Sequence, residues 1–76
     1  MVDNTLLTLI AQTLGIDRSQ VTEASEMSNT PKWDSLRQIM LMTELETHYG
    51  IELTDREMLE SVSVGQIRAV LMRHGV

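Results

Sequence analysis

The stretch WDSLRQIMLMTELETHYG, residues 33–50, carries the longest continuous run of apolar positions at helical spacing in this chain. It predicts a helix from Ser35 to Tyr49, with Asp34 as its N-cap and Gly50 as the left-handed residue that stops it. Ser35 then lies at the helix start, where backbone N–H groups lack partners and the peptide dipoles leave partial positive charge. A hydroxyl in that place has two readings. It is an ordinary helix-start serine, or it carries an anionic group such as a phosphate, which a helix N-terminus favours. The helix has two apolar faces: Leu41, Met42, Leu45 and Tyr49 on one side, and Leu36, Ile39, Met40, Thr43 and Thr47 on the other. Either both faces are buried in the middle of a bundle, or one packs and the other meets a partner; the spacing leaves both open. Met40 and Met42, being adaptable, suit a core and a binding surface equally.

Working outward from this segment, Pro31 pushes Thr30 toward an extended conformation and clears the way for the helix. Upstream, residues 17–32 are rich in Ser, Thr, Asn, Asp and Glu and predict a long ordered loop. It has a short turn near Asp17–Val21, with Val21 and Met27 as apolar anchors. A first helix is expected from about Asn4 to Leu14, capped by Asp3, Asn4 or Thr5. Leu6, Leu7, Ile10 and Leu14 share one face, and Gly15 ends it with Ile16 packing back. Downstream, Ile51 to Leu53 form a brief extended connector. Thr54 with Glu57 makes a capping box for a short helix through Glu60, whose Met58 and Leu59 supply little apolar surface, so it is expected to be the least anchored element. Ser63 with Gln66 makes a second box, opening a last helix on which Val64, Ile67, Val70 and Leu71 face inward until Gly75. The fold class is all-α: a four-helix bundle of three longer helices and one short one, forming a single domain over residues 1–76.

Composition removes several function classes. A chain of 76 residues with no cysteine has no disulfide, no thiolate metal site and no cysteine nucleophile, which suits a reducing cytoplasm. No apolar run approaches a membrane span and no secretory leader is recognisable. The net charge of −5 with six scattered Lys and Arg argues against nucleic acid. Carboxylates gather instead at Glu44, Glu46, Glu52, Asp55, Glu57 and Glu60 against Arg56 alone. That is either a field that steers a basic partner or a solubilising surface.

Catalysis by the bare chain is equally hard to build. His48 lies about 20 Å along the same helix from Ser35 at 1.5 Å per residue, too far for a nucleophile–base pair. His74 falls near the end of the last helix and reads as a solvated charge. Two distant histidines and dispersed carboxylates offer no metal-ligand spacing, and no metal is expected. The chain is therefore read as a non-enzyme.

The Asp34-Ser35-Leu36 core, the helix ending in Tyr49-Gly50-Ile51-Glu52-Leu53, the short acidic helix and the capped last helix together resemble acyl carrier proteins over essentially the whole chain. That resemblance implies a 4′-phosphopantetheine arm on Ser35, added from coenzyme A by a phosphopantetheinyl transferase. The terminal thiol of the arm would hold an acyl group as a thioester and present it to biosynthetic enzymes. It also implies a cytoplasmic monomer whose other partners are acyl- or aminoacyl-loading and transferring enzymes. These partners would meet Asp34, Leu36, Arg37, Met40, Thr43, Glu46 and Thr47 around the arm. An apolar cargo would shelter between the second and third helices, at an opening lined by Leu45, Met58, Leu59 and Ile67.

Two departures from the family pattern matter. Fatty-acid carriers usually place a small residue before the Asp and acids where this chain has Arg37 and Met40; peptidyl carriers usually show glycines where it has Lys32 and Trp33. Trp33 is similar to what D-alanyl carriers and other free-standing carriers of specialised pathways show, and it is expected to anchor the loop on the helix start. Arg37 would either border the partner face or pair locally with Glu44 or Glu46. Two alternatives remain: an aminoacyl or peptidyl carrier of the same fold, and an unmodified helical interaction module in which Ser35 is only a cap.

Overall fold

The apolar periodicities form the helices they predict. The computed structural model describes residues 5–76. It contains α1 (Thr5–Leu14), a single 3-10 turn (Arg18–Gln20), α2 (Ser35–Tyr49), α3 (Asp55–Glu60) and α4 (Val64–Arg73). No strand occurs among the described residues, and the architecture is the all-α bundle of three longer helices and one short one. Of the expected caps of α1, Asp3 and Asn4 lie outside the described residues. No described helix is long and apolar enough to cross a membrane.

The core sits between α1, α2 and α4. Leu6, Ile10 and Leu14 of α1 meet Leu41 and Leu45 of α2 and Val64 and Ile67 of α4, all essentially without solvent contact. Fully burying a Leu or Ile side chain contributes roughly 1.5–3 kcal/mol, so this cluster dominates the stability of so small a fold. Val21 is driven into the same core at 1% exposure, where the 3-10 turn delivers it. That turn is closed by Asp17, whose carboxylate accepts from Ser19 N at 2.9 Å while Gln20 Oε1 accepts from Asp17 N at 3.2 Å.

The long connection between α1 and α2 is held by the joint between α3 and α4. Met27 N donates to Val62 O and Val64 N to Ser25 O, each at 2.9 Å, forming an isolated antiparallel bridge between Glu26 and Ser63. Glu23 receives two bonds from the Arg68 guanidinium at 2.6 Å. That contact holds the Glu23 carboxyl below its usual range.

Two expectations are corrected. The Ser63 cap of α4 is present, its Oγ accepting from Gln66 N at 3.1 Å, but the Gln66 side chain accepts from Ser63 Oγ rather than returning to a backbone N–H. His74 is not a solvated charge: its Nε2 stands 3.0 Å and 3.1 Å from the two carboxylate oxygens of Glu57. As expected, α3 buries little apolar surface, and polar bonds hold it where that surface is lacking. The Glu57–His74 contact ties it to the end of α4, Arg73 Nη2 donates to Glu60 Oε2 at 2.9 Å, and Gln38 of α2 binds the carbonyls of Met58 and of Ser61 just past the end of α3.

Candidate functional site

The start of α2 is built by a turn that costs local strain. Lys32 adopts φ 64°, the left-handed region that non-glycine residues enter at a penalty of about 1–2 kcal/mol. Trp33 N closes the turn on Thr30 O at 3.4 Å. The chain is thereby redirected so that the Trp33 ring enters the interior, 4% exposed, while Asp34 and Ser35 remain outside.

Asp34 takes the capping role completely. Its Oδ1 accepts from Arg37 N at 2.9 Å and its backbone carbonyl from Gln38 N at 2.8 Å. Ser35 is therefore not the cap. It is exposed, and its hydroxyl makes no hydrogen bond to any described residue. The N–H groups of Ser35 and Leu36 have no acceptor within the helix, so a phosphate ester on Ser35 Oγ would meet unpaired donors and the positive end of the α2 dipole. The residues present fit a phosphopantetheine group on that oxygen.

Of the two faces of α2, one is packed and the other is bare. Leu41, Met42 and Leu45 are buried, whereas Leu36 and Ile39 are 65% and 67% exposed, with Met40, Thr43 and Thr47 beside them also in solvent. An apolar band thus begins beside Ser35 and continues along the outer face. Arg37 and Glu46 do not belong to it as free charges. Arg37 Nη1 donates to Thr13 O at 2.9 Å, satisfying an orphan carbonyl of the last turn of α1. That bond replaces the expected local pairing with Glu44 or Glu46. Glu46 Oε2 accepts from Leu53 N at 2.8 Å and fixes the connector after α2. Glu57 and Glu60 are engaged by His74 and Arg73, so the exposed acids of this half reduce to Glu44, Glu52 and Asp55.

Gln38, which no hydrophobic pattern singles out, is the buried hub beneath Ser35. Its Oε1 accepts from Trp33 Nε1 at 2.7 Å, and its Nε2 donates to Ser61 O at 2.8 Å and Met58 O at 3.1 Å. The amide orientation is dictated by its partners: an indole N–H needs an oxygen, and two carbonyls need an NH2. The available signal was positional. Trp33 and Gln38 occupy N′ and N4 of α2, the pair of positions that staples a chain to a helix start.

Beside this hub lies a pocket of about 230 Å³ lined by Gln38, Ile39, Met42 and Thr43 of α2 and Met58 and Leu59 of α3. Met58 and Leu59 thus lie where the opening was expected. Leu45 and Ile67 do not line it, since both are buried in the main core. The Thr43 hydroxyl donates to Ile39 O at 3.2 Å, and both hydrogens of the Gln38 amide are bonded, so the lining has no spare side-chain donor. His48 is exposed and far along α2, and no group of three or more His, Asp or Glu among the described residues could hold a metal ion.

Comparison with known proteins places these features in a family. Residues 4–71 match the family described as "Phosphopantetheine attachment site". The chain is 32% identical over 59 residues to an acyl carrier protein of Thermotoga maritima, covering 78% of this chain and 73% of the relative. It is 34% identical over 59 residues to an acyl carrier protein of Helicobacter pylori, covering 78% and 76% respectively.

Proposed function

This chain belongs to the phosphopantetheine-attachment family of acyl carrier proteins, and from that premise we propose that Ser35 is its attachment residue and an acyl thioester its cargo. As a family member it is a phosphopantetheine-carrying protein that meets modifying and loading enzymes, and such carriers are generally non-catalytic. The observation that carries the assignment to Ser35 is the division of labour at the start of α2. Asp34 does the capping, leaving Ser35 with an exposed, unbonded hydroxyl beside unpaired N–H groups. When bound, the arm supplies the one thiol, since the chain has no cysteine.

The residues around Ser35 have separate tasks in this reading. Asp34 holds the helix start rigid. Leu36, Met40, Thr43 and Thr47 form the surface that a transferase or loading enzyme covers to reach the arm. Arg37 and Glu46 support that surface from its edges through their bonds to Thr13 O and Leu53 N. An acyl cargo is favoured over an aminoacyl one because the pocket beside α2 is mostly apolar and no carboxylate lines it, so a charged ammonium inside it would be desolvated at high cost. The protein works as a cytoplasmic, monomeric, single-domain carrier for a dedicated pathway outside housekeeping fatty-acid synthesis, a choice that rests on Trp33 and Arg37.

Co-expression with a broad-specificity phosphopantetheinyl transferase tests the assignment. Intact mass rises by one phosphopantetheine arm in the wild type, and Ser35→Ala abolishes the rise. Modification that persists in Ser35→Ala overturns it. No modification of the wild type favours the helical interaction module.

A further inference from the structure

The pocket between α2 and α3 has an unusual floor. Its rim is exposed and apolar, with Ile39 67% and Leu59 80% accessible, whereas at its base stand Met42 and the Gln38 amide, both nearly closed to solvent. That amide is the middle of a chain of bonds running from the Trp33 indole through Gln38 to the carbonyls of Met58 and Ser61. We propose that this Trp33–Gln38 clasp sets the length of chain the pocket encloses, so that the protein shelters short acyl groups and leaves longer ones in solvent or against a partner. The inference rests on the reading that Ser35 bears the arm and an acyl cargo.

The physical argument concerns what a longer chain must displace. A pocket floored by Met or Leu alone deepens by small repacking moves, each costing little, whereas here Met42 shares the base with the bonded Gln38 amide. Here, deeper entry pushes the Gln38 side chain aside and breaks three hydrogen bonds at once. It leaves an indole N–H and two carbonyls buried, and a hydrocarbon chain offers them no replacement. Two of those bonds also hold α3 in place, so the wall of the pocket loosens as the floor gives way. The barrier to lengthening is therefore abrupt. At about 30 Å³ for a water-sized group, the roughly 230 Å³ present admits about seven or eight non-hydrogen atoms.

The location suits a cargo carried from Ser35. Ile39 lies one turn further along α2, about 6 Å in rise, so a flexible arm needs only to double back past the rim. Trp33 and Gln38 then connect the two functional parts of the molecule. Trp33, whose N–H closes the turn into the attachment site, also orients the pocket floor through its indole.

The test uses the protein bearing its arm, loaded with saturated acyl groups from two to fourteen carbons, each confirmed by intact mass. Hydrogen exchange at the α3 amides and the melting temperature are read at each length. In the wild type, protection of Met58 and Leu59 rises to a maximum at about six to eight carbons and falls beyond it. In Gln38→Ala the maximum moves to chains longer by about two to four carbons, the space the amide vacates. Trp33→Phe keeps a ring in the core while freeing Gln38 Oε1, and it moves the maximum in the same direction by less, a readout that survives if Gln38→Ala folds poorly. Protection that climbs steadily to fourteen carbons in the wild type overturns the proposal. So does a maximum that stays at the same chain length in the variants that fold, with protection merely lowered evenly at every length, which is what a purely structural clasp produces. Failure to attach the arm at Ser35 overturns the preceding assignment instead and is visible in the mass before any cargo is loaded.

Discussion

Helices α1 and α3 lie on either side of α2 and are held there by opposite means. Five of the ten residues of α1 are buried and apolar, whereas the six residues of α3 bury only Glu57, with Met58 half-covered and Leu59 in solvent. What holds α3 is a set of directed bonds, from Gln38 to the carbonyls of Met58 and of Ser61 just past its end, from His74 to Glu57 and from Arg73 to Glu60. Apolar burial is non-directional and scales with area, so α1 yields only when the core does. Hydrogen bonds depend steeply on geometry, and a small displacement releases them together. The molecule thus keeps its adaptable side next to the pocket and its rigid side away from it.

This contrast can be broken most severely from the α1 side. Ile10→Ala leaves a cavity in the shared core and is expected to cost about 2–5 kcal/mol. That is comparable with the roughly 3–5 kcal/mol a domain of this size commands. Urea titration followed by circular dichroism should show global loss of structure, with α1 and α4 amides losing exchange protection together. An effect confined to α1 would mean that its burial is not shared.

Gln38→Ala comes next, at about 2–3 kcal/mol from stranded buried partners, and its signature differs in place. Exchange protection should fall first at α3, with α1 retaining its own. If α1 and α3 lose protection equally, the two sides are not separately held.

A smaller effect is expected where α2 touches the end of α1. Arg37→Glu removes the bond to Thr13 O and sets an anion beside the negative end of the α1 dipole, for about 1–2 kcal/mol. Arg37→Gln, which can still donate, should recover most of it. Because Arg37 is half-buried against α1, charge reversal is expected to change acyl-transfer rates chiefly through this loosening. A strong salt dependence of the rate difference would instead assign Arg37 to partner encounter.

Acid sharpens the comparison with the smallest perturbation. The Glu57 carboxyl is held below its usual range, first by the Thr54 backbone N–H and then by the His74 side chain. A depressed carboxylate stabilises the fold above its unfolded value of about 4.3, and this contribution disappears as the pH falls from there through the lowered folded value. The urea midpoint and α3 exchange should therefore weaken in that window while α1 exchange lags. Glu57→Gln should remove the α3 part of the acid response and leave the Glu23–Arg68 part. An unchanged acid profile at α3 would show that Glu57 does not hold it.

The sequence alone determined where α2 begins and ends and where α3 opens, because those signals are local: Asp34 and Gly50 bound α2, and Thr54 with Glu57 opens α3, each through bonds spanning a few residues. The apolar periodicity of α1 and α4 likewise named their buried faces, since a 3.6-residue repeat leaves little choice about which side turns inward. The pattern alone left open whether both faces of α2 are buried or only one, and α1 and α4 decided it by covering Leu41 and Leu45 and leaving Leu36 and Ile39 bare. Tertiary structure alone also decided the partners of the polar residues. Gln38 meets Ser61, Arg37 meets Thr13, and Glu57 meets His74 across 23, 24 and 17 positions of chain. A polar side chain carries no periodicity that announces its partner. It finds one only after apolar burial has set the helices in place and made an unpaired donor or acceptor costly.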